Sequence, residues 1–63
     1  MRTEVYQTSV GTYEIFKSGN KWLAMIHSIR HYDLLPLLHE YADTKEAAFN
    51  ICKKDFKKRL IEL

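Results

Sequence analysis

The three histidines, His27, His31 and His39, and the one thiol, Cys52, are of types that ligate metals or act as bases and nucleophiles near neutral pH. His27 and His31 stand four apart, a spacing that chelates a metal when the segment is helical. The surrounding residues, Lys21 to Ile29, have the apolar and aromatic run of a strand, and a strand gives that spacing no special geometry. The four potential ligands also follow no usual structural zinc spacing. The histidines therefore read as surface or sheet residues, and no metal or other cofactor is expected.

Nucleophilic catalysis needs a nucleophile, a base and a group that orients the base. Cys52 is the only thiol, and its place in a helical apolar stripe suits a small buried residue. The sequence has no Gly-x-Ser-x-Gly elbow, no phosphate-cradling glycine loop and no dinucleotide fingerprint. Neither an enzymatic activity nor a small-molecule substrate is expected.

A basic cluster is the other chemical feature. Lys53, Lys54, Lys57 and Lys58, with Arg59 nearby, would form one side of a helix. Such a face can contact phosphates or an acidic protein surface, and it can equally be a solvated helix back.

These residues need elements to hold them. Thr12 to Lys17 reads as a strand, Ser18-Gly19-Asn20 as a turn, and Lys21 to Ile29 as the returning strand of a hairpin. Glu4 to Val10 can add an edge strand ended by Gly11. Arg30 to Asp33 reads as a loop. Leu34 to Tyr41 fits a short helix or a strand; Pro36 cannot donate to a ladder, which favours a strand from about Leu37 to Tyr41. The C-terminal third is rich in Lys, Ala and Glu and holds no Gly or Pro after Asp43. Asp43 is a candidate N-cap, with Glu46 three positions on. Ala48, Cys52, Phe56 and Leu60 recur every four residues, with Phe49 and Leu63 on the same arc. Strands followed by a helix imply an α+β fold. The expectation is an antiparallel sheet of three strands packed against one C-terminal amphipathic helix, as a single domain over residues 1–63.

One helix covers only one face of such a sheet. Strand alternation puts Trp22, Ala24 and Ile26 on one side, and Leu23, Met25 and Ile29 on the other. Both sides are apolar, so the uncovered face presents either Trp22 and Ile26 or Leu23 and Met25. An apolar face of this kind marks an interaction site unless Val5, Tyr6 and Val10, or Leu34 to Leu38, fold over it. Tyr13, Trp22, Leu23, Met25 and Ile26 are the candidate protein-binding anchors, aromatic residues being favoured at such centres.

Composition narrows the partner. The chain is 46% hydrophobic and 29% charged, outside the disordered class. A chain of 63 residues buries only about 60% of its unfolded surface, and chains this short commonly recruit disulfides, a metal or a partner subunit. One cysteine permits no internal disulfide, and a lone thiol suits a reducing, cytoplasmic compartment. No apolar run spans a membrane, and the N-terminus has no apolar signal region, so the chain reads as complete, with no membrane partner. Ten Lys and Arg against eight Asp and Glu give a net charge of +2, weaker than dedicated nucleic-acid binders carry.

Two stretches carry a resemblance. Asn20-Lys21-Trp22-Leu23-Ala24-Met25-Ile26 and Tyr41-Ala42-Asp43-Thr44-Lys45-Glu46-Ala47-Ala48 resemble the AP2-like DNA-binding domain, which includes arm-binding domains of phage-type integrases. The resemblance implies a three-stranded sheet entering the major groove, with Lys21 and Trp22 on the contacting strand. The same stretches are similar to HicB-type antitoxin domains, and the layout also resembles compact phage accessory proteins that inhibit host enzymes. The chain departs from the AP2-like pattern where Leu23, Met25 and Ile26 stand in place of charged donors, which base reading needs. The leading expectation is a non-enzymatic protein-binding module, binding itself as a homodimer or regulating a larger protein through the open sheet face. The alternative is a nucleic-acid binder using Lys21, Arg30, Lys53, Lys54, Lys57 and Lys58, with Trp22 or Tyr13 stacking on bases.

Overall fold

The structure, a computed structural model, describes residues 3–27 and 37–62. Among the described residues, strands β1 (Thr3–Thr8), β2 (Gly11–Ser18), β3 (Lys21–His27) and β4 (His39–Ala42) precede one helix, α1 (Lys45–Glu62). The strands form an antiparallel sheet in the order β1-β2-β3-β4. The α+β class with a C-terminal helix is as expected. The sheet has four strands where the sequence pattern implied three, because the N-terminal segment pairs along its whole length with β2.

Local chemistry accounts for the turns. After β1, the Thr8 hydroxyl donates to the Gly11 carbonyl at 2.7 Å and accepts from the Val10 amide at 3.2 Å. Gly11 has a φ of 146°, outside the range that side chains favour. Between β2 and β3 the chain reverses at Gly19, with φ 64°, and Asn20.

Alternation then decides the layers. Tyr13 and Ile15 of β2 lie opposite Ile26 and Ala24 of β3, and all four face the helix. Val10, Leu38, Ala48 and Cys52 complete the core, with Trp22, Ala42, Ile51 and Phe56 packed around it. Ala24 and Ala48 are both fully buried, small side chains that let strand and helix approach closely. The backbone of Leu38 also accepts from the Ile26 amide at 3.3 Å, so Leu38 joins β3 just ahead of β4.

Three expectations about the helix are corrected. Its N-cap is Thr44: the Thr44 hydroxyl accepts from the Ala47 amide at 3.0 Å, and its carbonyl accepts from Ala48 at 3.1 Å. Asp43 instead pairs with Lys21 at 2.6 Å. The covered stripe runs through Ala48, Cys52, Asp55 and Arg59, so Leu60, a turn edge away, is 42% exposed. Arg59 is buried rather than part of a basic face; Asp55 receives its Nε at 2.5 Å and the Tyr13 hydroxyl at 2.6 Å. The readings placed on residues 28–36, including Arg30 and His31, and on Leu63 lie outside the described residues.

Candidate interaction surfaces

The helix covers the Trp22, Ala24 and Ile26 side of the sheet, which settles the choice between the two faces. The opposite face carries Phe16, Leu23 and Tyr41 in one line across β2, β3 and β4. Met25 lies in the next row, between Glu14 and His39, and Val5 of β1 lies across from Glu14. Val5 and Tyr41 are more than half exposed, Phe16 and Met25 are partly buried, and Leu23 is buried at the centre.

Polar groups rim this patch and are mostly satisfied. The Glu14 carboxylate meets His27 Nε2 at 2.6 Å. Lys21 is hydrogen-bonded to Asp43, which holds that carboxyl below its ordinary range. The His39 ring stands edge-on to Tyr41 at 5.9 Å. An apolar centre with a polar rim is the usual anatomy of a protein interface.

The five anchors expected from sequence do not share a surface. Leu23 and Met25 belong to the open face. Tyr13 and Ile26 are buried in the core, and Trp22 packs against it from the same side. The reason is parity: in β2 and β3, residues opposite one another share a face, and the register sets Tyr13 against Ile26. Phe16, Tyr41 and Val5 take their places. Phe16 and Tyr41 could be found from sequence only with the registers of both β2 and β4 in hand.

Of the residues considered as covers for the open face, Val5 lies within that face as part of the sheet, and Tyr6, Val10 and Leu38 lie on the helix side. Val10 and Leu38 enter the core there.

The basic residues divide as well. Lys53, Lys54, Lys57 and Lys58 are exposed on α1, outside the Ala48–Cys52–Asp55–Arg59 stripe. Lys53 Nζ stands 5.6 Å from the centroid of the Phe49 ring. Among the described residues, none of these four lysines has a carboxylate partner. Lys21 lies across the sheet on the open face, so it does not extend their surface. The contact strand implied by the AP2-like resemblance likewise offers Lys21 outward while Trp22 lies beneath the helix.

The side chains considered for metal binding are also separated. His27 and His39 project from the open face, and Cys52 is buried under the helix. Among the described residues no group of three His, Cys, Asp or Glu side chains could hold a metal ion. Burial pushes the Cys52 thiol up to about 11, with the nearby Asp55 charge adding to it, so the neutral thiol prevails. No helix among the described residues is long and apolar enough to cross a membrane. Comparisons with protein-family models, curated proteins and solved structures give no match.

Proposed function

We propose that this domain is a non-enzymatic protein-binding module whose docking surface is the open sheet face. The observation that carries the reading is the line Phe16–Leu23–Tyr41, flanked by Met25 and Val5, on the face that bears no helix among the described residues. Tyr41 and Met25 offer the accessible anchors, and Leu23 supports them from within the sheet. Aromatic anchors over a desolvated centre supply most of the binding energy in such contacts. The lysines of α1 point away from this face and steer an acidic partner at longer range. Regulation or inhibition of a larger cytoplasmic protein is the role this design serves.

A photo-crosslinking residue at position 41 tests the reading in the producing cell. The expected result is one dominant protein adduct, lost when Met25→Asp is added while the circular dichroism stays native. Labelling no stronger than from position 50, on the helix's solvent side, would sink it.

A second reading rests on the four lysines without carboxylate partners: α1 alone binds the phosphates of a nucleic acid. Anisotropy of labelled duplex DNA at two salt concentrations decides it. Binding that weakens steeply with salt, and is lost in Lys53→Glu/Lys57→Glu, favours this second reading.

A further inference from the structure

The helix lies off-centre on the sheet. It packs on β2, β3 and β4 but not on the backbone of β1, which it meets through the Lys45–Glu4 ion pair and the Tyr6–Phe49 ring contact at 5.5 Å. An apolar groove therefore runs between β1 and α1, lined by Tyr6, Tyr13, Phe49, Cys52 and Phe56 with Lys53 at its rim. Tyr6 and Phe49 each remain more than a third exposed.

Strand β1 is also an edge that carries none of the usual edge defences among the described residues. Natural edges are blunted by lysines, prolines, bulges or shortness. β1 runs unbroken from Thr3 to Thr8 in continuous register with β2, so it has no bulge. It contains no Lys or Pro, and its only charge, Glu4, is bound to Lys45. The opposite edge differs, since β4 has four residues and includes Glu40.

From these features we infer that β1 is a self-association edge, and that its occupant is a second copy of this chain. Antiparallel pairing of β1 with β1 fuses two four-stranded sheets into one. The twofold axis then stands perpendicular to the sheet, so both helices lie on the same side and residues of like parity meet. Either Val5 or Tyr6 sits on the axis. With Val5 there, Glu4 faces the second copy's Tyr6; with Tyr6 there, Glu4 faces the second copy's Thr8. No two like charges oppose in either register, which is what self-complementarity requires. The size of the chain argues the same way. A 63-residue chain with a single cysteine gains most from a partner subunit.

This edge adjoins the open face proposed above at Val5 and leaves Phe16, Leu23, Met25 and Tyr41 uncovered. A dimer of this form presents two open faces side by side, which makes the module bivalent.

Sedimentation equilibrium of the full chain from about 1 to about 500 micromolar spans the affinities of small interfaces. A monomer–dimer equilibrium is expected. Val5→Lys/Gln7→Lys changes two exposed positions and sets lysine against lysine in both registers. It should weaken dimerisation at least about tenfold, an added repulsion of the kind that natural edges use. Hydrogen exchange on the unaltered chain gives a second measure, with alternate β1 amides gaining protection as concentration rises. A monomer at every concentration, or a dimer indifferent to the double substitution, overturns the proposal. So does a dimer abolished by Tyr41→Asp, which would assign self-association to the open face. Crosslinking at position 41 fails or succeeds independently of these outcomes.

Discussion

Tyr13 and Asp55, one in the second strand and one in the helix, are joined by a 2.6 Å hydrogen bond that the phenol donates. The same carboxylate oxygen receives Arg59 Nε at 2.5 Å, from one helical turn further on. Arg59 is fully buried, so Asp55 offsets a charge that has left water. Breaking a buried ion pair from one side costs about 3–5 kcal/mol, because the remaining charge stays desolvated. Asp55→Asn should lower stability by that order, and Tyr13→Phe by about 1 kcal/mol, as for a single hydrogen bond. Urea denaturation followed by circular dichroism measures both. Equal small losses would mean that the carboxylate does not support the arginine.

Alkaline pH should weaken the fold. Burial raises the Tyr13 phenol above its ordinary value, and the hydrogen bond to Asp55 adds to this. Burial likewise takes the Cys52 thiol from 9.0 to about 11. Groups raised on folding contribute stability that is complete below their unfolded values and is lost as pH climbs through the folded ones. The urea midpoint is expected to be level up to about pH 9 and to fall from there toward pH 11. Cys52→Ala should flatten part of that fall. A midpoint independent of pH over this range would contradict the assigned burial of both groups.

The helix start should respond to Thr44 and not to Asp43. Thr44→Ala removes the acceptor for the Ala47 amide and is expected to cost about 1 kcal/mol. Asp43→Ala breaks only a pair with Lys21 whose two side chains are 55% and 82% exposed, so its urea midpoint should match that of the unaltered chain. The reverse ranking would restore Asp43 as the cap.

The two glycines should separate by their surroundings. A Cβ at Gly11 would meet the His27 carbonyl oxygen and the Ile26 side chain at 3.0 Å, on a backbone with φ 146°. Gly11→Ala should therefore cost about 1–3 kcal/mol from strain alone. At Gly19 nothing lies within 4 Å, and alanine meets only the left-handed backbone penalty of about 1 kcal/mol. Thermal melts of the two variants give the order directly.

The hairpin was legible because its signals are local: alternation on either side of Gly19-Asn20 locates both strands. The helix was legible through its composition and its Ala48–Cys52 spacing. Its stripe was misplaced by part of a turn because Asp55 and Arg59 carry charge, and a pattern reading sends charge outward. The clue was present, since 48, 52, 55 and 59 share one helical phase and Asp55 precedes Arg59 by four. The open face was anticipated as a dilemma between two residue sets. Resolving it needed the partner layer, which no single strand encodes, and the same gap assigned Tyr13 and Ile26 to a surface when they form the core.

The order of strands in space repeats their order along the chain. Each pairing joins sequence neighbours, and β1–β2 and β2–β3 close across two-residue turns, so the sheet can assemble as successive zippers. Chains whose contacts are mostly local fold quickly for their stability. The link from Tyr13 to Asp55 spans far more of the chain and fits a late docking step, made once the strands already exist. Its loss would then speed unfolding more than it slows folding, making that one oxygen atom a latch on the lifetime of the native state.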